Sequence, residues 1–428
     1  MNNKTNLKES NIYIKLLFYS FSIIPITFLI GNFAINLIPI IICCIFLIGI
    51  ISNNLKFEMK DRVFYLLIFL FISLLINLYF SNNFYLTLPR TLKFIIIIFF
   101  VISFKHLLNF IEDKEIIKLY KIWFIIIIFV VFDLIYEFFI GHNIFGQTGV
   151  GMPGRLSSFT GKEMVIGHFF SAFVLFGLAY VYRNYENKMF NIFLALFFIL
   201  ISFLIGERSN FVKTFIIIFI FIFLIYEFKL KYKLIFFSFI FLIFALILNS
   251  NNYYKLRYYD QVKNLFQKDG IKLYLNNSVY GAHYKVAIKI FNNYPIFGVG
   301  IKNFRVESFD DKYQGIFDST DENSNSKPDV KVSYSGWTGG STHPHQIHFE
   351  LLSETGLFGY ISFLIFIFLS FYLSIKTYLS EKNIYQFCGM LFVFVNLLPL
   401  LPSGSFFSTY TAGLFWINYS IMVGYIKK

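Results

Sequence analysis

Charge is what this chain has least of. Asp, Glu, Lys and Arg make up 14% of its 428 residues, against about 25% in an ordinary soluble domain, so that class is excluded. Cysteine is nearly absent. Cys43, Cys44 and Cys388 are the only three; they lie inside apolar runs without CxxC spacing, so no disulfide framework or thiolate metal site follows. They read as small core hydrophobes. With 25 Gly and 9 Pro, collagen-like and Pro/Gly-rich disordered classes fall too. Acidic residues are scarcer than basic ones, 24 against 37, for a net charge of +13.

What is present is apolar: 57% of the residues, with a mean hydropathy of +0.65. The chain reads as an all-α polytopic membrane protein. Its 61 Phe and 29 Tyr, and tracts such as Phe215–Phe223, have the character of an A+T-rich coding background. Aromatic abundance, the stretch Tyr253–Tyr259 included, therefore carries no argument for base stacking or sugar binding.

A membrane-crossing helix needs roughly 20 mostly apolar residues. Twelve segments are expected, near 13–30, 34–51, 63–80, 92–104, 121–140, 164–182, 189–205, 211–227, 234–249, 357–375, 386–402 and 409–425. The first lacks a small-residue cleavage site and reads as retained, not as a signal peptide. Lys and Arg in short connections set orientation. With the N-terminus inside, the inner connections and both ends hold 18 of them, and the opposite side holds four: Arg90, Arg155, Lys162 and Arg208. Both termini are thus expected in the cytoplasm. Residues 1–250 carry helices 1–9, 251–356 form one large extracytoplasmic loop, and 357–428 carry helices 10–12. That loop has 12 basic and 11 acidic residues, so the excess charge lies elsewhere, mostly as a positive-inside signature. No nucleic-acid partner is indicated; the bilayer is the partner.

A loop of this length is usually functional. Residues 279–294 have apolar spacing for an amphipathic helix along the membrane surface. Pro295–Gly300 forms a turn whose Gly298 and Gly300 allow positive φ or close approach. Residues 310–341 are polar and expected to be an irregular insert. The loop closes on Ser341–Gly356, with His343, His345 and His348 within six residues. A histidine titrating near neutrality suits a general base; a zinc ligand pair or a helix cap are the other readings. Arg208, in the short turn Gly206–Ser209, is costly at that depth and needs a partner. Glu207 can serve, or a phosphate can, through arginine's bidentate fork. Arg155 is a second candidate. Asp133 and Glu137, at i,i+4, can support an arginine or bind a polar substrate. His168 reads as packing.

Pro295-x-x-Gly298-x-Gly300-x-x-x-Phe304, followed by His345-Gln346 and nine residues to Gly356, resembles the O-antigen ligase superfamily. The topology of twelve spans with a large loop between spans nine and ten is similar too. The resemblance implies a metal-independent, inverting glycosyltransferase of the bacterial inner membrane, with no cofactor. It would move a glycan from undecaprenyl diphosphate to an acceptor hydroxyl at the periplasmic face. His345 would be the base and Arg208 would hold the diphosphate, with His343 and Gln346 beside the substrate. The family turn Gly-Ser-Arg reads Gly206-Glu207-Arg208 here. A second family arginine, expected near Tyr280–Tyr284, is missing; His283, Arg305 or Arg155 would substitute. The acceptor distinguishes a ligase (lipid A–core), a polymerase (a second lipid-linked glycan) and a protein O-oligosaccharyltransferase (Ser or Thr). A flippase is the alternative of another class, and would need broken or charged helices at mid-membrane.

Overall fold

The computed structural model describes residues 7, 10–55, 57, 60–149, 154–260, 262–263, 278–313 and 340–427. Among these it is helical. In chain order the α-helices are α1 (Ile12–Ser22), α2 (Ile24–Ile30), α3 (Asn32–Ile51), α4 (Arg62–Tyr79), α5 (Phe84–Phe110), α6 (Asp113–Ile140), α7 (Ile166–Asn184) and α8 (Lys188–Leu204). They continue as α9 (Arg208–Ile225), α10 (Leu230–Ser250), α11 (Asn252–Lys255), α12 (Val279–Asn293), α13 (Phe304–Glu307), α14 (Ile347–Glu381), α15 (Ile384–Asn396) and α16 (Tyr410–Gly424).

Apolar runs make these helices, and short polar side chains start them. The side chains of Asn11, Asp61, Asn83, Asn187, Ser278, Gln346 and Asn383 each accept from a first-turn amide, satisfying donors that helix ends leave open. Among the described residues eight helices are long and apolar enough to cross a membrane, or nine if the pair α1 and α2, bent by 46°, counts as one. Large apolar side chains such as Phe33, Phe132, Phe139 and Phe368 are exposed on them, as a lipid-facing belt requires. This is a multi-pass membrane protein. The other three expected segments fall on α8, α15 and α16, of 17, 13 and 15 residues.

One boundary differs from expectation. The segment expected at 386–402 stops being helical at Asn396. Its continuation Leu397-Leu-Pro-Leu-Leu-Pro402 is apolar but carries two prolines, which remove amide donors and clash with a preceding turn, and Leu400 adopts φ +63°. Residues 397–409 are therefore an irregular segment between α15 and α16. A second break lies inside α14 at Gly356, with φ +63°.

Contacts sort the connections onto two ends of the bundle. At one end Asn11 donates to the Asn54 carbonyl, Arg183 pairs with Asp113 and Lys427 with Glu381. At the other, the amide of Asn82 donates to the Val299 carbonyl, and Asn82 reaches Glu307 at 2.7 Å. The long connection sits at this second end. Residues 314–339, most of the expected irregular insert, lie outside the described residues.

Candidate functional site

The long connection is docked by backbone. The amides of Val299 and Gly300 donate to the carbonyls of Ser353 and Glu354, while those of Leu357 and Phe358 donate to Pro295 and Ile296. This joint sits where α14 breaks at Gly356. A Cβ on Gly298 would meet the Glu354 carbonyl carbon and the Gly356 nitrogen at 2.5 Å, and one on Gly356 would meet the Ile296 oxygen at 2.4 Å. Gly298, Gly300 and Gly356 all have φ between +63° and +100°. Positive φ or close approach was expected of Gly298 and Gly300, and the structure shows both. Here they are buried in a joint between two backbones, which side chains would force apart.

Beyond the joint, α12 and the start of α14 bring three imidazoles together. The ring of His345 lies 4.0 Å from that of His343 and 5.2 Å from that of His283, which projects from α12. His345 sits at φ +59°, and its carbonyl accepts from the Ser403 amide at 2.7 Å, so the irregular 397–409 segment fixes its backbone. Gln346 caps α14: its side-chain oxygen accepts from the amides of His348 and Phe349 at 2.7 and 3.3 Å. It is thus a cap beside the histidine. His348 is occupied elsewhere, against the Leu397 carbonyl at 2.8 Å and the Tyr360 hydroxyl at 3.1 Å. Burial, then the neighbouring His283 and His168, press His345 down to about 4. Burial and His345 press His343 lower still. The His345 imidazole is therefore neutral at ordinary pH and can accept a proton. His168 lies within its electrostatic reach, a relation beyond the packing role expected of it. No group of three or more His, Cys, Asp or Glu side chains among the described residues could hold a metal ion.

A buried polar cluster underlies this loop. Glu350, fully buried, accepts from the Phe406 amide at 2.6 Å and from the Ser405 hydroxyl. Lys302 donates to Ser405 and lies 3.8 Å from Glu350. The cluster clamps 397–409 against α14. Glu350 and Glu354 at i,i+4 in an apolar stretch were a visible signal for it, overlooked beside the histidines.

The arginines form a second group. Arg208 is the first residue of α9, and a cation there faces the positive end of its own helix. That arrangement suits an anion bound between them. Its Nη1 lies 3.5 Å from the Arg257 carbonyl. Arg257, in the π-helical turn Leu256–Asp260, donates from Nε to the Gly206 carbonyl at 3.0 Å. Burial, followed by Arg155 and Arg208, holds the Arg257 guanidinium below its ordinary pKa. Three guanidinium groups thus share one neighbourhood. Glu207 is bound to Arg155 at 2.9 Å and not to Arg208, the neighbour proposed from sequence; it also accepts from the Gly167 amide and from Asn210. Glu207 thus pairs directly with Arg155, while Arg208 contacts the Arg257 backbone and Glu207 acts on the Arg257 guanidinium only electrostatically.

Arg257 was missed because it lies in the tyrosine-rich stretch dismissed as compositional background. In that stretch the hydroxyls of Tyr254 and Tyr258 donate to the carbonyls of Leu204 and Phe203 at 2.7 and 3.0 Å. Together with Arg257 they cap the open end of α8. Asp133 and Glu137 are committed as well. Asp133 accepts from the Ile144 amide and Ser158 hydroxyl at 2.9 and 2.6 Å. Glu137 accepts from both amides of Ser157 and Ser158 and from the Ser157 hydroxyl. They hold Ile144, Ser157 and Ser158 in place, and among the described residues neither is in a salt bridge with an arginine. Arg305 is exposed on α13, electrostatically linked to His343.

No curated protein matches the chain. Residues 190–364, which carry the Gly206–Arg208 turn, Arg257, the glycine joint and the histidine loop, match the family model described as O-antigen ligase.

Proposed function

We propose that the protein transfers a glycan from a lipid diphosphate to an acceptor hydroxyl, at the periplasmic face of a bacterial inner membrane. The observation that carries this reading is a neutral, half-buried His345 at the same end of the bundle as Arg208 and Arg257. A ring nitrogen of His345 takes the proton of the acceptor hydroxyl as its oxygen attacks the anomeric carbon. The bond from that carbon to the phosphate oxygen breaks, and its electron pair leaves with the lipid diphosphate. Attack opposite the leaving group inverts the anomeric centre. Negative charge grows on the diphosphate, where Arg208, Arg257 and the first amides of α9 stand ready. Arg155 acts through Glu207 as a positioning residue for the turn. Burial, with His283 and His168 beside it, keeps His345 neutral.

The orientation rests on the 18-to-4 distribution of Lys and Arg across the short connections. The family match fits a polymerase as well as a ligase, since the two differ in the acceptor alone; the lipid A–core ligase remains the first reading.

The test is reconstitution with a lipid-diphosphate glycan and three separate acceptors: lipid A–core, a second lipid-linked glycan and a Ser-containing peptide. Transfer to lipid A–core is expected, and His345→Ala should abolish it while leaving the protein folded. A His345→Ala variant with wild-type turnover overturns the reading.

A further inference from the structure

A groove of about 330 Å³ runs between α2, α3, α5 and α16, within the range of about 300–1,000 Å³ typical of ligand sites. Its walls are mostly apolar, with Phe28, Ile35, Phe94 and Trp416 among them, and among the described residues no Asp or Glu lines it. Two cations do. Arg90 and Lys93 lie one helical turn apart on α5, roughly 9 and 14 Å along the helix from its start. Lys93 donates to Asn36 at 2.6 Å; neither cation has a carboxylate within salt-bridge distance among the described residues. Positive charge on a wall otherwise apolar is costly unless an anion joins it. Reaching for water can relieve a residue near a helix end, but Lys93 is a turn deeper and is held across the groove by Asn36.

The groove's far wall is Phe406–Thr409, part of the same irregular segment whose Ser403 holds the His345 backbone. Arg305 acts electrostatically on Arg90 and on His343, so positive charge continues from the groove to the histidines. The donor-side arginines are a different group: the cations acting on Arg257 are Arg155 and Arg208.

We propose that this groove seats the acceptor, and that the acceptor is a phosphate-bearing lipid. Its chain lies among Phe28, Ile35 and Trp416, its phosphate rests on Arg90 and Lys93, and its sugar reaches past Thr409 toward His345. The word acceptor rests on the transfer reading above; the lipid-phosphate site does not. The inference sets lipid acceptors above a protein Ser or Thr.

The test uses the whole protein in phosphatidylcholine nanodiscs, titrated with undecaprenyl phosphate and read by native mass spectrometry. An Arg208→Gln background silences the donor side. Adding Arg90→Gln with Lys93→Gln should weaken lipid binding about tenfold or more, as expected for lost charge-assisted contacts. Gly413→Leu should weaken it similarly without changing a charge, because a side chain there projects at Phe28 and Ile35. Undiminished binding in folded versions of either variant overturns the site. Competition by equimolar inorganic phosphate overturns the lipid assignment. In transfer assays with Arg208 restored, Arg90→Gln with Lys93→Gln should raise the acceptor KM about tenfold and leave the donor KM unchanged. An unchanged acceptor KM overturns the acceptor role while the transfer reading stands. Wild-type protein that binds the lipid phosphate yet transfers to none of the three acceptors overturns the transfer reading and not the site.

Discussion

Replacing Arg257 by Gln separates a leaving-group clamp from a helix cap. The guanidinium donates from Nε to the Gly206 carbonyl at 3.0 Å, and Arg155 and Arg208 act on it electrostatically. A hydrogen bond to a charged partner contributes about 1.5–3 kcal/mol net, which corresponds to roughly 10–150-fold in rate or affinity. Because charge on the diphosphate grows as the glycosidic bond breaks, the loss should fall more on kcat than on the donor KM. Arg257→Lys keeps the charge but not the planar fork, and an intermediate loss is expected. The assay is initial rate against donor concentration in nanodiscs, with a thermal melt of each variant. Tyr254→Phe and Tyr258→Phe supply the control. Each alone removes one other cap from the end of α8 while keeping Arg257 and its bond to Gly206, so each should lower the melting temperature with a smaller loss of donor kcat than Arg257→Gln. Wild-type kcat/KM in a folded Arg257→Gln variant would refute the clamp and leave Arg257 as a cap alone.

Gly298→Ala should cost the fold and not the substrate. Its φ of +66° penalises an L-residue by roughly 1–2 kcal/mol, and its Cβ would lie 2.5 Å from two backbone atoms; a melting curve checks this, and a raised KM at wild-type stability would contradict it. Gln346→Ala removes the cap of α14 at a cost of about 1 kcal/mol, whereas Gln346→Asn should keep most of it, both visible in chemical or thermal unfolding. The acid limb of kcat/KM should lie near pH 4, because burial and two histidines hold His345 there: activity falls as pH drops through that value and the imidazole gains its proton. His283→Ala should move the limb upward, and a wild-type limb at the ordinary histidine value would count against His345 as the base.

The parts of this molecule that read directly from sequence are those fixed within one or two turns of chain. Apolar runs located helices at every expected segment, and apolar spacing placed α12 where it lies. The histidine-glutamine pair stood out as a motif, and the fold gives its second member a physical meaning, since a short polar side chain at that position caps α14. The errors are non-local or come from judging residues by frequency. Glu207 was one of two partners offered for its sequence neighbour Arg208, yet it pairs with Arg155, 52 positions away. The close approach expected at Gly298 is there, but its partner, the backbone at Gly356, is one that no local pattern names. Residues 397–402 scored as membrane helix on hydropathy although Pro399 and Pro402 forbid it, and the unwound segment that results holds His345 and walls the groove.

The tyrosine-rich stretch shows why a compositional discount should act on counts and not on positions. An A+T-rich background raises the number of tyrosines everywhere, but it does not set Tyr254 and Tyr258 at i,i+4 with Arg257 between them. At that spacing two hydroxyls lie on one face of a helical turn, able to reach the same set of open carbonyls, and α8 ends with such carbonyls at Phe203 and Leu204. Once those two tyrosines are anchored, the intervening arginine is directed to Gly206, beside Arg208. The abundance of tyrosine therefore said nothing about function, while the arrangement of two of them placed a guanidinium that the proposed chemistry needs.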